Sequence, residues 1–344
     1  MKHCRMFGLA IGFLILQVAG VNAQSPASGY HLLKKVALGG EGGWDYLALD
    51  SQSRRLFIAR ATHVMVIDVD VGKSVGDITN TAGVHGIALV SEMGRGFTSN
   101  GKDSTVTVFD LGTLKALKQI PVGKNPDAII YDPASKRIFT FNGKSDDATV
   151  INAQNATVEA TIPLGGRPEF AVADGVGRLY VNLEDKNQVV VLDSNALTIK
   201  SRWPLAPGEE PTGISMDREH KRLFIGCANK QMIIMDSDNG NIVATLPIGE
   251  GVDATAFDPE SGLVFSSNRD GTLTVIKEDS ASQFSVFDNV ATQKGARTMV
   301  LDPKTRHIFL VTAEFGPTPK PTKDQPRPRP GILPGSFVLL EIGK

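Results

Sequence analysis

Apolar positions along this chain come in short runs of five or six residues, rich in Val, Ile, Phe and Thr, with Gly, Asp and Pro between them. The stretch GRPEFAVADGVGRLYVNLEDKNQVVVLD, residues 166–193, predicts three short strands joined by two tight turns. The unit recurs. Aligned on Asp174, which ends its first strand, the copies fall at Asp50, Val90, Asp132, Asp174, Asp217, Asp258 and Asp302, spaced by 40, 42, 42, 43, 41 and 44 residues. Second-strand segments such as RLFIAR, RIFTFN and RLFIGC repeat in step, as do third-strand segments such as HVMVID, TVTVFD and QMIIMD. A fourth apolar segment, such as LKQIPVG or VATLPIG, follows in most copies.

A period just over 40 residues with four strands per copy is the signature of propeller blades. The seventh copy lacks a fourth strand, and residues 31–40, HLLKKVALGG, resemble the fourth segment of the second copy. The expectation is an all-β, seven-bladed β-propeller, its ring closed by the N-terminal strand, about 31–38, pairing with the last blade. Closure removes the open sheet edge that would otherwise invite aggregation. The blades are expected at about 44–82, 83–124, 125–166, 167–208, 209–250, 251–290 and 291–344, within one domain spanning 24–344.

The N-terminus reads differently. Lys2 and Arg5 precede an apolar stretch at 7–21 that contains Gln17, and the small-residue pattern VNA follows. This predicts a signal peptide, 1–23, cut after Ala23, and a periplasmic or secreted protein. The stretch falls short of the roughly 20 residues needed to span a bilayer, and no other segment reads as a span. The leader carries Cys4, so the mature chain keeps Cys227 alone and forms no internal disulfide. Cys227 ends an apolar strand and reads as a buried small hydrophobe. The net charge of −1, near −3 without the leader, gives no basic excess for nucleic acid.

The candidate site sits five residues before each aligned position, where the chain enters the innermost strand. Those residues are Asp45, His85, Asp127, Glu169, Thr212, Asp253 and Arg297. Two readings stand. An Asp there caps a turn through its own backbone in a wet channel. Alternatively, the carboxylates converge with His85 and Arg297 on a ligand at the channel mouth. Trp44, beside Asp45, either stacks on a ring-shaped ligand or packs between blades. Loops joining strands two and three add His63, Asp103, Asp146, Asp147, Glu184, Asp185, Asn229 and Asp270 to the same face, and read mainly as solvated turns. In the last copy this loop is residues 313–335, with seven prolines. It is either a surface excursion or a cover over the mouth carrying Arg327 and Arg329. The Arg that starts strand two in five copies (Arg55, Arg95, Arg137, Arg178, Arg222) lies at the opposite end and reads as a brace between neighbouring turns.

Phrases such as LYVNLEDKNQVVVLD, GFTSNGKDSTVTVFD and IFTFNGKSDDATVIN resemble the repeat of the YVTN/YncE-type bacterial β-propellers, over about 30–344. The resemblance implies the fold, and an exported protein that binds a small polar ligand or an envelope protein without turnover. Lactonases and a metal-dependent lyase share the broad architecture. They imply an alternative, in which Asp45, Asp127, Glu169 and Asp253 hold one divalent cation, Ca or Mg, and His85 acts as general acid or base. A third reading, an accessory subunit of a redox enzyme, finds no haem-attachment motif in the chain. The chain shows no phosphate loop and no Gly-x-Ser-x-Gly elbow either. The protein is expected to be a monomer.

Overall fold

The computed structural model describes residue 1, residues 28–322, residue 328 and residues 330–344. The leader at 1–23, Arg327 and Arg329 therefore lie outside the described residues, Met1 aside. Seven four-stranded antiparallel sheets form a propeller ring. In six blades the strands follow chain order from the centre outward, as in Leu47–Asp50, Arg55–Arg60, His63–Asp68 and Lys73–Ile78 of blade 1. Blade 7 takes Met299–Leu301, Ile308–Thr312 and Val338–Gly343 from the C-terminal end of the chain and His31–Ala37 from the N-terminal end. The closing pair runs from His31↔Gly343 to Ala37↔Val338. The ring is therefore fastened as the repeat predicts. The helical content of the described residues is two short 3-10 turns, Ser91–Met93 and Glu184–Lys186, and no described helix is long and apolar enough to cross a membrane.

Burial explains the sequence pattern. The second and third strands lie between two neighbouring sheets, so both their faces are covered; Arg222–Cys227 is buried from its second residue on. Such strands read as continuous apolar runs. Outer strands have one wet face and alternate, as Thr198–Pro204 does. The apolar core is divided into seven clusters, one at each interface between consecutive blades. Cys227 is one of these core residues, fully buried, and burial pushes its thiol up to about 12.

The repeated polar residues hold turns and blades. Asp50, Asp132, Asp174, Asp217, Asp258 and Asp302 each accept backbone N–H groups of the turn that follows. Asn100, Asn142 and Asn268, at the ends of second strands, donate to third-strand side chains, in each case including a buried Thr: Thr107, Thr149 and Thr274. The recurring arginines reach across to the next blade. Arg55 donates to the carbonyl of Leu111, Arg95 to Gln154, Arg137 to Ser194 and Arg222 to Ala281, while Arg178 meets the Asp238 carboxylate. They are braces, as their spacing suggests.

Candidate functional site

Six of the seven ring residues stand where the inner strand slips register. In blade 3, Pro126 pairs with Asn142, but Ile129 pairs with Thr140, so Asp127 and Ala128 together face one partner. The same bulge occurs at His85, Glu169 and Thr212, and the register also slips at Asp253. In blade 1 the backbone of Ala59 bonds both Asp45 and Tyr46, which marks an equivalent bulge. A bulge re-aims the side chain at one position without disturbing the rest of the strand. Polar residues at the partner positions then hold the ring backbone of the next blade. Ser99 donates to the carbonyl of Asp127, Ser267 to that of Arg297, and Asn182 to that of Thr212 at 2.7 Å. These three are absent from the sequence-based site; their signal was a polar residue breaking an otherwise apolar strand.

Six of the seven ring side chains share one electrostatic neighbourhood. His85 Nδ1 lies 2.6 Å from Asp45 Oδ2 and 3.8 Å from Asp127 Oδ1. Arg297 forms an ion pair with Asp253, whose second oxygen Oδ2 is buried with no hydrogen-bond partner. Burial, reinforced by the charges of Asp127, Glu184, Asp253 and Asp45, pushes Glu169 up to about 9. Burial also pushes Asp127 to about 7 and Asp253 to about 6, with His85 and Arg297 respectively opposing the rise. Burial lowers the pKa of His85, but its bond to Asp45 and the charge of Asp127 outweigh that, and the net shift is upward. Thr212 behaves differently. Its hydroxyl is turned to the carbonyls of Gly226 and Val252, so it braces neighbouring backbone segments.

The cation-ligand geometry differs from the four-carboxylate set. The ligand atoms within 4.8 Å of one another are those of Asp45, His85 and Asp127; Glu169 and Asp253 fall outside that group. His85 is bound to Asp45 through Nδ1, and its Nε2 lies against Gly101, where an added Cβ would approach to 2.7 Å. Imidazole in the donor set suits zinc or a similar transition metal better than Ca or Mg, which take oxygen ligands.

Two aromatic residues that directly follow ring residues meet across the channel. Tyr46 of blade 1 and Phe170 of blade 4 meet with centroids 5.0 Å apart, and the Tyr46 hydroxyl points to the carbonyl of Glu169. Those blades are not neighbours in the ring, so the pair spans the channel. Trp44 packs toward blade 7, with its ring 5.3 Å from Phe337 and 6.0 Å from Phe315. The glycine-rich loop that leads to it is organised by Arg60, a buried side chain the sequence did not single out. Arg60 donates to the carbonyls of Gly39, Glu41, Gly42 and Gly43 and stacks on Phe337 at 3.7 Å.

A cavity of about 410 Å³ opens beside the ring, lined by Gly43, Trp44, Arg269, Lys294, Gly295, Arg297, Phe315, Pro330 and Ile332. The two arms of the Pro-rich segment meet over it. Phe315 bridges to Ile332, Gly316 N–H donates to the Gly331 carbonyl at 2.9 Å, and Leu333 N–H to that of Glu314 at 2.8 Å. The strand-two-to-three loops cap the neighbouring turns: Asp185 accepts the Arg167 N–H, Asn229 that of Glu209, and Asp270 that of Glu250.

No family model and no curated protein matches this chain. Among solved structures it is similar to hydrazine synthase of Kuenenia stuttgartiensis, at 14% identity and a TM-score of 0.69, covering 79% of this chain and 93% of that one. It is also similar to the WD40 repeats of RRP9, at 9% identity and a TM-score of 0.75, covering 93% of this chain and 99% of that one. At these identities the likeness shows the fold alone, a β-propeller.

Proposed function

We propose that this protein is an exported, non-enzymatic β-propeller that binds a small carboxylate bearing an aromatic or other planar ring at its channel mouth. One observation carries the reading. The cavity at the mouth combines the rings of Trp44 and Phe315 with three cationic side chains, Arg269, Lys294 and Arg297, the last of them ion-paired with Asp253. A guanidinium takes a carboxylate through paired hydrogen bonds, and an indole takes a planar ring. Hydroxyl groups elsewhere on the ligand would reach the acidic half of the mouth, where Asp45 and Asp127 accept. The leader-like N-terminus supports a periplasmic or secreted location, and the resemblance to YVTN/YncE-type propellers supports binding without turnover.

The test uses intrinsic fluorescence. The chain has two tryptophans, and a Trp203→Phe background leaves Trp44 as reporter. Titration with benzoate and 4-hydroxybenzoate is expected to give a saturable change that Arg269→Ala weakens about tenfold or more, as loss of a charged hydrogen bond does. A flat response to both ligands, or binding indifferent to Arg269→Ala, overturns the reading.

A second reading is favoured by the Asp45, His85 and Asp127 ligand atoms gathered within 4.8 Å. A divalent cation held there would polarise a carbonyl and activate water for a hydrolase or lyase. The test is elemental analysis of protein purified without chelator, with a lactone and lyase screen. A stoichiometric metal lost in His85→Ala, together with turnover, would favour this reading over simple binding.

A further inference from the structure

The opposite rim of the ring carries a second cluster, between blades 5 and 6, that the mouth does not explain. In four blades the Asp ending the inner strand accepts a hydroxyl three residues on: Ser53 to Asp50, Ser135 to Asp132, Ser261 to Asp258 and Thr305 to Asp302. In blade 5 that position is His220, so an imidazole stands where the repeat places a hydroxyl. Its Nδ1 lies 2.7 Å from Asp217 Oδ2.

The third member comes from a second departure from the repeat. The third strand of blade 6, Thr272–Ser280, runs nine residues where those of blades 1 to 5 run six. Glu278 stands directly after the sixth residue of that strand, at the place of Val69, Leu111, Ala153, Ser194 and Ser237 in blades 1 to 5, each bonded in the same way to the preceding turn, so a carboxylate replaces an apolar or small residue beside the blade 5 turn. Its side chain is 2% exposed, its Oε1 lies 3.3 Å from His220 Nδ1, and neither carboxylate oxygen has a hydrogen-bond partner. A buried carboxylate that crowds a second one, Asp217, with a half-exposed imidazole as its counter-charge, is costly to keep. Asp217 is equally buried, whereas His220 is half-exposed and leaves the cluster open to solvent. The three ligand atoms all lie within 4.8 Å of one another.

We propose that Asp217, His220 and Glu278 form a zinc-class divalent metal site that clamps blade 5 to blade 6. One imidazole nitrogen and two carboxylates are a three-ligand set for such an ion, with a water completing the tetrahedron. A bound ion would partner both Glu278 and Asp217 and displace the His220 proton. The site lies on the rim opposite the mouth, so it stands or falls independently of the proposed ligand.

The experiment is isothermal titration of the chelator-treated, full chain with ZnCl2, repeated on His220→Ala, Glu278→Gln and, as a mouth control, Asp45→Asn. His220 is at the surface, so its replacement leaves the core intact. The expected result is a zinc equivalent lost in both His220→Ala and Glu278→Gln and kept in Asp45→Asn, with zinc raising the Tm of wild type but not of His220→Ala. The expected weakening exceeds the roughly tenfold to hundredfold that follows loss of a residue that merely orients a ligand. Absence of zinc binding by wild type, or binding that His220→Ala leaves unchanged, overturns the proposal. So does a single equivalent lost only in Asp45→Asn, which would assign the zinc to the mouth.

Discussion

Tyr46 and Phe170, from blades 1 and 4, meet across the central channel with ring centroids 5.0 Å apart. The contact reaches across the channel between blades that are not neighbours. Each ring directly follows a bulged ring residue, so one register slip sets a polar side chain and an aromatic one side by side. Truncating Tyr46 to Ala should cost about 3–5 kcal/mol, as large buried aromatics do. Tyr46→Phe, which loses only a 3.4 Å hydrogen bond, should cost about 1 kcal/mol or less. Urea unfolding of both variants checks this, and equal costs would show that the hydroxyl, rather than the ring contact, matters.

Stability should decline as pH rises across the neutral range. Glu169, Asp127 and Asp253 titrate at about 9, 7 and 6 in the fold. In the unfolded chain such groups titrate near about 4. The fold therefore binds more protons than the unfolded chain between about pH 4 and pH 9, and it loses stability as pH climbs through that window. His85, also shifted upward, contributes in the same direction. On the acid side Asp302 works in reverse: burial opposes its ionisation, but Arg54, Ser51 and Thr305 hold it at about 2, so its contribution disappears as pH falls below about 4. A metal-free thermal series should peak near about pH 5 and fall toward pH 9, with Glu169→Gln flattening the alkaline limb. A Tm that climbs from pH 5 to pH 9 would contradict the burial of these acids.

Arg297→Met should leave Asp253 buried with no opposing charge. Removing one partner of such a pair typically costs about 3–5 kcal/mol. The loss should be largest at pH 8, where Asp253 would have to ionise, and shrink toward pH 5, where it is protonated. Chemical denaturation of both proteins at the two pH values measures the difference. A penalty independent of pH would point to lost packing of the arginine stem.

Gly101→Ala tests how His85 is held. The added methyl would come within 2.7 Å of Nε2 and drive the imidazole off Asp45. The expected cost is about 1–3 kcal/mol of stability, from overpacking. The His85 titration, followed by NMR, should move down toward the ordinary value of about 6.5. An unchanged titration would mean that the ring accommodates the methyl without leaving Asp45.

Much of this molecule was legible in one dimension. The spacing of the terminal Asp residues, from Asp50 to Asp302, stated the number of blades, because each blade is a local unit whose strands pair with their sequence neighbours. Even the ring closure was readable, since residues 31–37 complete a pattern the C-terminus leaves unfinished. The ring of Asp45, His85, Asp127, Glu169, Asp253 and Arg297 was also visible as one repeating offset. Which members touch was not. The pairing of His85 with Asp45 and of Arg297 with Asp253, and the turning of Thr212 to backbone, depend on the rotation between blades and on a one-residue slip that no propensity encodes. That Trp44 packs toward blade 7 and lines the cavity beside the ring was not legible, because the Gly39–Gly43 loop that sets its place is held by Arg60 at the end of the second strand of blade 1. Glu278 and His220 sit 58 residues apart and belong to different blades. Local sequence determined what each blade is; only the packing of one sheet face on the next decided which charges share a site.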